Sequence, residues 1–304
     1  MLLKTSYLYK KLVYRYLKYR VERTPLFEIN RYYNLVFGRN ADLENPRSLI
    51  EKIYWMQLNI DTSMWTLCAD KYRVRQFIHN LGLSEYLPKL YGCWENPSDI
   101  NFDKLPQSFV LKLNNGCGSV ILVKNKNIID QKKIVNQLFQ WLNIPFGYSG
   151  YEPHYLKIKP CILAEELLLQ GEEQNTFSPG SIVDYKVWCI NGTPESIFVG
   201  YNRTSNTLSM ALFDTEWNSL SDKLVNTKCD IYHPEIIIPR PSCLTKILDM
   251  AKSITHGLPE CRVDFYIVNN KPIIGEMTFS SGYGYFTEEY YNYLGDKIDL
   301  SIFK

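Results

Sequence analysis

Near the end of the chain, residues 263–268 and 273–279 are two apolar, β-rich runs flanking an Asn-Asn-Lys turn signal, a pattern that predicts a β-hairpin. Each run carries one acid that a plain strand does not need, Asp264 in the first and Glu276 in the second. Side chains alternate faces along a strand, so a two-residue loop at Asn269-Asn270 would put the acids on opposite faces. A three-residue loop over 269–271 would set Asp264 opposite Glu276, and Asn is among the few non-glycine residues that accept a left-handed backbone. Register therefore decides whether the two acids cooperate. Facing carboxylates repel by roughly 0.2–1 kcal/mol, and a hard cation between them turns that repulsion into a site; Mg²⁺ favours one or two carboxylates together with phosphate oxygens. The competing arrangement is one buried acid paired to Arg262 and one solvated acid.

The rest of the pattern alternates helical and extended segments. Residues 2–23 place Leu3, Leu8, Leu12 and Leu17 among tyrosines and basic residues, as in a basic, aromatic amphipathic helix suited to an anionic membrane surface. Asn45-Pro46 reads as the start of a helix whose apolar face is Leu49, Ile50, Ile53, Met56 and Ile60. Asp70 opens another, carrying Lys71, Val74, Phe77 and Ile78 and ending at Gly82, and 130–143 is a third. Strands are expected at 109–113, 120–123 and 161–169, then at 182–190 and 195–202 around an Asn191-Gly192 turn, and at 208–213. Ser242 is expected to cap a helix that ends at Gly257.

Composition narrows the class. With 304 residues, 45% of them apolar, the chain can bury a core across two or three subdomains. The net charge of +2 is too small to imply a nucleic-acid partner, but it is unevenly spread. Residues 1–23 hold Lys4, Lys10, Lys11, Arg15, Lys18, Arg20 and Arg23 against Glu22 alone, a balance of +6, which leaves −4 for the remainder. The 8 cysteines show no C-x-x-C pair and the 4 histidines do not cluster with them, which argues against zinc and against a disulfide scaffold and points to a reducing, cytosolic compartment. No apolar run approaches a membrane span, and the N-terminus lacks the apolar core of a secretory signal.

One further stretch suggests chemistry. The run 109–113 leads into Asn114-Asn115-Gly116-Cys117-Gly118-Ser119 and then into 120–123, a strand–loop–strand with small residues at the tip. Glycine there lets successive backbone N–H groups turn toward an anion. It is neither a Walker A loop nor a Rossmann fingerprint, because no G-K-[ST] follows and no helix opens after it.

Taken in order, these pieces resemble the TupA-like ATP-grasp family. The matching words are NPRSLIEK (45–52), DKYRVRQF (70–77), LPKLYGCW (87–94), LPQSFVLKLNNGCGS (105–119), ILAEELL (162–168), DYKVWCINGTPESI (184–197), FDTEW (213–217) and RVDFY…GEMTF (262–279). The resemblance implies an α+β ATP-grasp fold, two α+β subdomains gripping ATP between antiparallel sheets, with a helical N-terminal extension. It divides the chain into a helical region over 1–60, an N-terminal lobe over 61–108 and the ATP-grasp domain over 109–304. It implies that Lys71 and Lys112 contact phosphates and that Asn115, Gly116, Gly118 and Ser119 lie over the β- and γ-phosphates. Glu165, Glu166 and Leu168 would belong to the adenine hinge, although Glu165 and Glu166, as neighbours on one strand, cannot both point inward. Lys186 would face the triphosphate or the acceptor, Asp264, Glu276 and Thr278 would hold two Mg²⁺ ions, and Arg203 and Arg262 would hold the transferring phosphoryl group or an acidic substrate. The chain departs from the family's pattern at Asn115, where a His is usual, and over 205–210, which lacks the usual basic residues.

The activity so implied is an ATP-dependent carboxylate–amine ligase acting through an acylphosphate. Its acceptor would be a carboxylate, such as a uronic acid, of a bacterial cell-surface polysaccharide or its precursor, and its second substrate an amino acid or another amine. The alternatives are a glycosyltransferase of capsule, O-antigen or exopolysaccharide assembly, against which the lack of any Asp-x-Asp counts, and an ATP-grasp kinase acting on a sugar hydroxyl. The expected place is the cytoplasm, at the inner face of the plasma membrane.

Overall fold

The computed structural model describes residues 7–280 and 282–303. The chain runs α1 (Tyr7–Arg23), α2 (Pro25–Phe37), α3 (Leu49–Asn59), α4 (Ser63–Ala69), α5 (Val74–Asn80), β1 (Leu90–Trp94), β2 (Phe109–Leu113) and β3 (Val120–Val123). It continues through α6 (Gln131–Leu142), α7 (Pro153–Leu156), β4 (Ile162–Glu165), α8 (Glu172–Asn175), β5 (Asp184–Ile190), β6 (Thr193–Tyr201), β7 (Leu208–Phe213) and β8 (Asp230–Tyr232). It closes with α9 (Leu244–Ile254), β9 (Glu260–Val268), β10 (Lys271–Thr278) and α10 (Glu288–Asp296). Residues 1–6 of the basic N-terminal stretch lie outside the described residues.

Contacts gather these elements into two units interleaved in sequence. The first comprises the described residues up to Ala41, Asp61–Val74 and Lys89–Leu167; the second comprises Asp42–Ile60, Arg75–Pro88 and the described residues from Leu168 onward.

The first unit is built on a four-stranded antiparallel sheet in the order β1-β4-β2-β3. In β2 the alternation is clean: Phe109, Leu111 and Leu113 are buried while Val110 and Lys112 are less so. The buried set packs with Ile162, Ala164, Val123 and the Ile134 and Leu138 side of α6. Asp130 starts α6 by accepting from the Lys133 N–H at 3.0 Å, an N-cap of the expected kind. The strand expected at 161–169 is shorter than its apolar run. It ends at Glu165, the last residue paired to both β1 and β2, after which a single bond from the Glu166 N–H to the Lys89 carbonyl closes the ladder. An apolar sequence cannot extend a strand whose partners have ended.

The second unit is built on a six-stranded sheet in the order β10-β9-β5-β6-β7-β8, antiparallel except for the β7–β8 pair. The β5–β6 turn is Asn191-Gly192, with φ of 50° and 72°, the left-handed pair that a tight hairpin of this twist requires. Helix α9 covers one face with Leu244, Ile247, Ala251 and Ile254 buried; its N-cap position is Cys243, without a side-chain cap bond, and not Ser242. Helices α3 and α10 pack together, and Gly295 permits it: a Cβ there would collide with the Arg47 carbonyl oxygen. The start of α3 is Ser48 and not Asn45. Ser48 Oγ accepts from the Glu51 N–H at 3.2 Å while a Glu51 oxygen accepts from the Ser48 N–H at 3.0 Å, a capping box that fixes the first turn beyond Pro46.

The C-terminal hairpin takes the shorter of the two turns that the sequence leaves open. Lys271 pairs with Val268, so the loop is the two residues Asn269 and Asn270, with φ of 49° and 60°. The register then slips between Ile274 and Glu276, with Gly275 as the extra residue of a β-bulge, and Glu276 comes to stand opposite Asp264 after all.

Candidate functional site

In the first unit the glycine loop is clamped at its base. Asn114 donates its N–H to the Cys161 carbonyl (3.0 Å) and its Nδ2 to the Lys159 carbonyl (3.0 Å), and its Oδ1 accepts from the Cys161 N–H (2.7 Å). Leu113 donates to the Ser119 carbonyl at 3.1 Å and closes the loop on itself. Between these ties Gly116 and Gly118 have φ of 69° and 79°, whereas Asn115, Cys117 and Ser119 have none of the positive values. The sign of φ thus alternates from Asn115 to Ser119, an alternation compatible with consecutive N–H groups turning toward one side. Lys71 sits in a turn capped by Asp70, whose Oδ1 accepts from the Tyr72 and Arg73 N–H groups, just ahead of α5 and not within it. Its backbone N–H donates to the Asn114 carbonyl at 2.8 Å and its ammonium to the Gly116 carbonyl at 2.7 Å. Lys71 therefore braces the loop at its first residue and at Gly116.

Lys112 and Glu165 share the sheet face opposite the apolar core and form an ion pair at 2.5 Å. Glu166 points away and is exposed, accepting from the Lys89 N–H at 3.5 Å. The chain leaves the first unit after Leu167, so the expected hinge residue Leu168 already belongs to the second.

In the second unit, alternation and register gather Lys186, Arg262, Asp264, Glu276 and Thr278 on one end of one sheet face, and Arg203, in the turn after β6, joins them through Asp184. Lys186 is opposite Asp264, which is opposite Glu276; Arg262 is opposite Thr278. Arg262 donates from Nε to Asp264 Oδ1 (2.6 Å) and from Nη2 to Asp264 Oδ2 (2.8 Å), Thr278 Oγ1 (3.2 Å) and Glu276 Oε1 (3.5 Å). Lys186 donates to the same Asp264 Oδ2. Arg203 pairs with Asp184 at 3.0 Å, and its turn is held by Ser181 Oγ, which accepts from the Arg203 N–H at 2.8 Å. Burial works to lower the Lys186 ammonium, but the carboxylates of Asp184 and Asp264 outweigh it and leave its pKa raised.

Four residues of this face carried no expected role. Asp184 lies 3.8 Å from Lys186 and anchors Arg203; the D-x-K spacing of 184–186 puts both side chains on one strand face, a signal legible in hindsight. Trp188 continues that face, with the Arg262 guanidinium 5.3 Å from its ring centroid. Tyr266 continues the Arg262–Asp264 face, and burial, with the neighbouring carboxylates of Asp184, Glu276 and Asp264, holds its phenol well above the usual range. Glu260, on the same face two residues before Arg262, is fully buried, and neither of its carboxylate oxygens has a hydrogen-bond partner among the described residues.

A divalent cation fits this donor set. A single positively charged nitrogen, Arg262 Nη2, stands within 3.5 Å of oxygens from Asp264, Glu276 and Thr278, so three hard donors converge on one point. Among the described residues no three His, Cys, Asp or Glu side chains are grouped as metal ligands. The protein would thus complete only part of an ion's shell, as Mg²⁺ sites on phosphate substrates do.

A glycine loop that follows a strand lysine, and acids that face each other on a second sheet, are the features for which the sequence resembles the ATP-grasp family. The family model for TupA-like ATP-grasp proteins matches residues 51–299, and the chain belongs to that family. Similar solved structures include D-alanine–D-alanine ligase from Bacillus anthracis complexed with ATP (13% identity, TM-score 0.46, covering 79% of this chain and 66% of that one). Others are L-amino acid ligase from Bacillus licheniformis (14%, 0.42, 85% and 57%) and N5-carboxyaminoimidazole ribonucleotide synthetase from Thermus thermophilus (11%, 0.41, 77% and 52%). The chain spans less than two thirds of the length of each. Comparison with curated protein sequences gives no match. No helix among the described residues is long and apolar enough to cross a membrane.

Proposed function

We propose that the protein is an ATP-dependent carboxylate–amine ligase that amidates a carboxylate, such as that of a uronic acid, on a bacterial cell-surface polysaccharide or its precursor. The observation that carries this reading is the convergence of Lys186, Arg262, Asp264, Glu276 and Thr278 on one sheet face in a member of an ATP-grasp family. The loop 114–119 would hold the β- and γ-phosphates through its backbone N–H groups, braced by Lys71, and Lys112 would add a compact positive charge. Asp264, Glu276 and Thr278 would hold Mg²⁺, one ion or two, and the bound metal supplies charge neutralisation across the phosphate oxygens. Arg262 and Lys186 would then turn from Asp264 toward the γ-phosphate, and Arg203 toward the acceptor carboxylate. Attack by that carboxylate on the γ-phosphorus breaks the bond to ADP and gives an acylphosphate. A neutral amine displaces phosphate from it to form the amide, and the proton that the amine nitrogen loses leaves on the hydrogen phosphate. Such transfers need positioning and charge neutralisation more than a nucleophilic side chain, which is what this face offers. The proposed place of action is the inner face of the plasma membrane.

The test is thermal denaturation with Mg²⁺–ATP, followed by ADP release with candidate carboxylates with and without amines. Ligand at about 100 times Kd adds about 2.7 kcal/mol to the folded state, a rise of several degrees in Tm for a chain of this size. Asp264→Asn and Glu276→Gln should remove the metal-dependent part of the rise and most turnover. Near-normal turnover in both sinks the metal assignment; a stable phosphate ester formed on an acceptor hydroxyl without any amine makes the enzyme a kinase.

A further inference from the structure

Helix α1 has an inward and an outward side, and the outward side is not that of an ordinary solvated helix. Val21 is buried and Val13, Tyr14 and Leu17 are half-buried, so these residues mark the inward side. On the outward side, Tyr9, Leu12, Tyr16 and Tyr19 recur at three- and four-residue steps, which aligns them in one stripe along the helix. All four are exposed, Leu12 at 64% and Tyr16 at 58%. Beside this stripe runs a second one, Lys11, Arg15 and Lys18, also exposed and again at three- and four-residue steps. The aromatic stripe is extended by α2, where exposed Phe27 lies under the Arg20 guanidinium, 3.6 Å from its centroid. Arg20 also donates to Tyr16 OH (2.7 Å) and Arg23 to Tyr19 OH (3.0 Å), so cations gather at the phenolic ends of the rings. Glu22 is the one acid in the helix sequence.

We propose that this face of α1, with Phe27, docks on an anionic lipid surface, Leu12 and the tyrosine rings entering the headgroup region while Lys11, Arg15 and Lys18 face the lipid phosphates. Exposed tyrosines beside a basic stripe match the boundary between hydrocarbon and headgroups, where amphipathic rings settle. Charge complementarity selects the occupant: a patch this basic, in a chain whose remainder is acidic, repels a second copy of itself and is drawn to a negative surface. The proposal rests on the membrane as the place of action and is independent of the nucleotide chemistry.

The experiment is flotation of the full chain with vesicles of phosphatidylcholine alone or with 30–40% phosphatidylserine (roughly the range that makes a strongly anionic surface). Two variants are compared, Lys11→Gln/Arg15→Gln/Lys18→Gln and Leu12→Ser/Tyr16→Ser, with light scattering on each. A basic residue near such a surface contributes about fivefold to partitioning, so the triple variant should lose about 100-fold. The expected result is anionic-selective, salt-sensitive binding by the wild type, lost in both variants while the Mg²⁺–ATP shift in Tm is unchanged. Binding that ignores lipid charge, absence of binding, or binding that survives both variants overturns the proposal. A wild-type dimer that both variants dissociate would make the face a contact between copies and would overturn it as well. Because the Mg²⁺–ATP shift is read on the same samples, failure of the membrane face and failure of the nucleotide reading are separate results.

Discussion

Asp264 and Glu276 stand opposite each other across β9 and β10 because Gly275 is bulged out of the ladder, not because the turn is long. A two-residue turn in a regular hairpin would have faced Glu276 away from Asp264. The bulge advances the register by one and places both acids under the same guanidinium, that of Arg262, at 2.6–2.8 Å from Asp264 and 3.5 Å from Glu276. Bulges add twist and re-aim side chains, and here the re-aimed side chain is a carboxylate.

Gly275→Val should therefore act on both stability and the acids. A Cβ at this position would meet Tyr266 Cε2 at 2.9 Å and the Asp264 carbonyl oxygen at 3.3 Å. Overpacking of this kind costs about 1–3 kcal/mol. Unfolding free energy from urea titration should fall by that amount, and Mg²⁺-dependent ATP affinity should fall with it. Wild-type affinity in the destabilised variant would show that the bulge does not position Glu276 for the metal.

The two loop glycines should separate sterics from backbone dipoles. Gly116→Ala drives a Cβ into the Phe146 ring at a φ of 69°, so it should lower both Tm and nucleotide affinity. Gly118→Ala at a φ of 79° meets nothing within 4 Å and carries only the left-handed penalty, about 1–2 kcal/mol. Its effect should appear in the affinity for ATP, because relieving the positive φ reorients the N–H groups. A calorimetric titration that leaves Gly118→Ala at wild-type affinity would remove the loop from the phosphate site.

Glu260 makes a prediction about pH. Burial pushes its carboxyl up to about 8, with Arg262 pulling it back part of the way. An unfolded chain releases this proton near pH 4.5, so between roughly pH 4.5 and 8 the unfolded state binds fewer protons than the folded one. Stability contributed by this group accordingly falls as pH rises through that window, by up to about 1.4 kcal/mol per pH unit, and levels off above it. Glu260→Gln removes the titration and should gain a few kcal/mol over the wild type at pH 8, and almost nothing at pH 4. Parallel urea midpoints for the two proteins across pH 4–8 would show that Glu260 is not held neutral in the fold.

Much of this was legible in the sequence, for reasons that also explain what was not. Strands at Phe109–Leu113 and Val120–Val123 follow from local apolarity bounded by small residues, and the Asn191-Gly192 hairpin follows from two residues that accept positive φ. The facing of Asp264 and Glu276 was anticipated for a three-residue loop and arrived through a bulge, because a lone glycine in a strand does not announce which way the register slips. The over-long strand at 161–169 reflects a non-local fact, the ends of β1 and β2, that no window around Glu165 contains. Asp184 went without a role since its partners, Lys186 and Arg203, are fixed by the sheet and by the turn after β6. The bracing of the loop by Lys71 depends in the same way on a contact to Gly116 that the order of residues does not encode.

The Lys112–Glu165 pair allows the phosphate role of Lys112 to be tested apart from its structural one. The two residues are diagonal neighbours on β2 and β4, and their side chains are only 14% and 5% exposed. Breaking a buried pair on one side costs about 3–5 kcal/mol, because the remaining charge loses its counter-ion. Glu165→Gln should thus destabilise the protein by deserting the Lys112 ammonium. If Lys112 reaches a phosphate, bound ATP supplies the missing negative charge, and the rise in Tm with Mg²⁺–ATP should be larger in Glu165→Gln than in the wild type. Lys112→Met in the same background removes the buried cation, so it should recover part of the lost stability while abolishing the extra rise. Equal rises in the wild type and Glu165→Gln would confine Lys112 to a structural ion pair and leave phosphate binding to the loop and to Lys71.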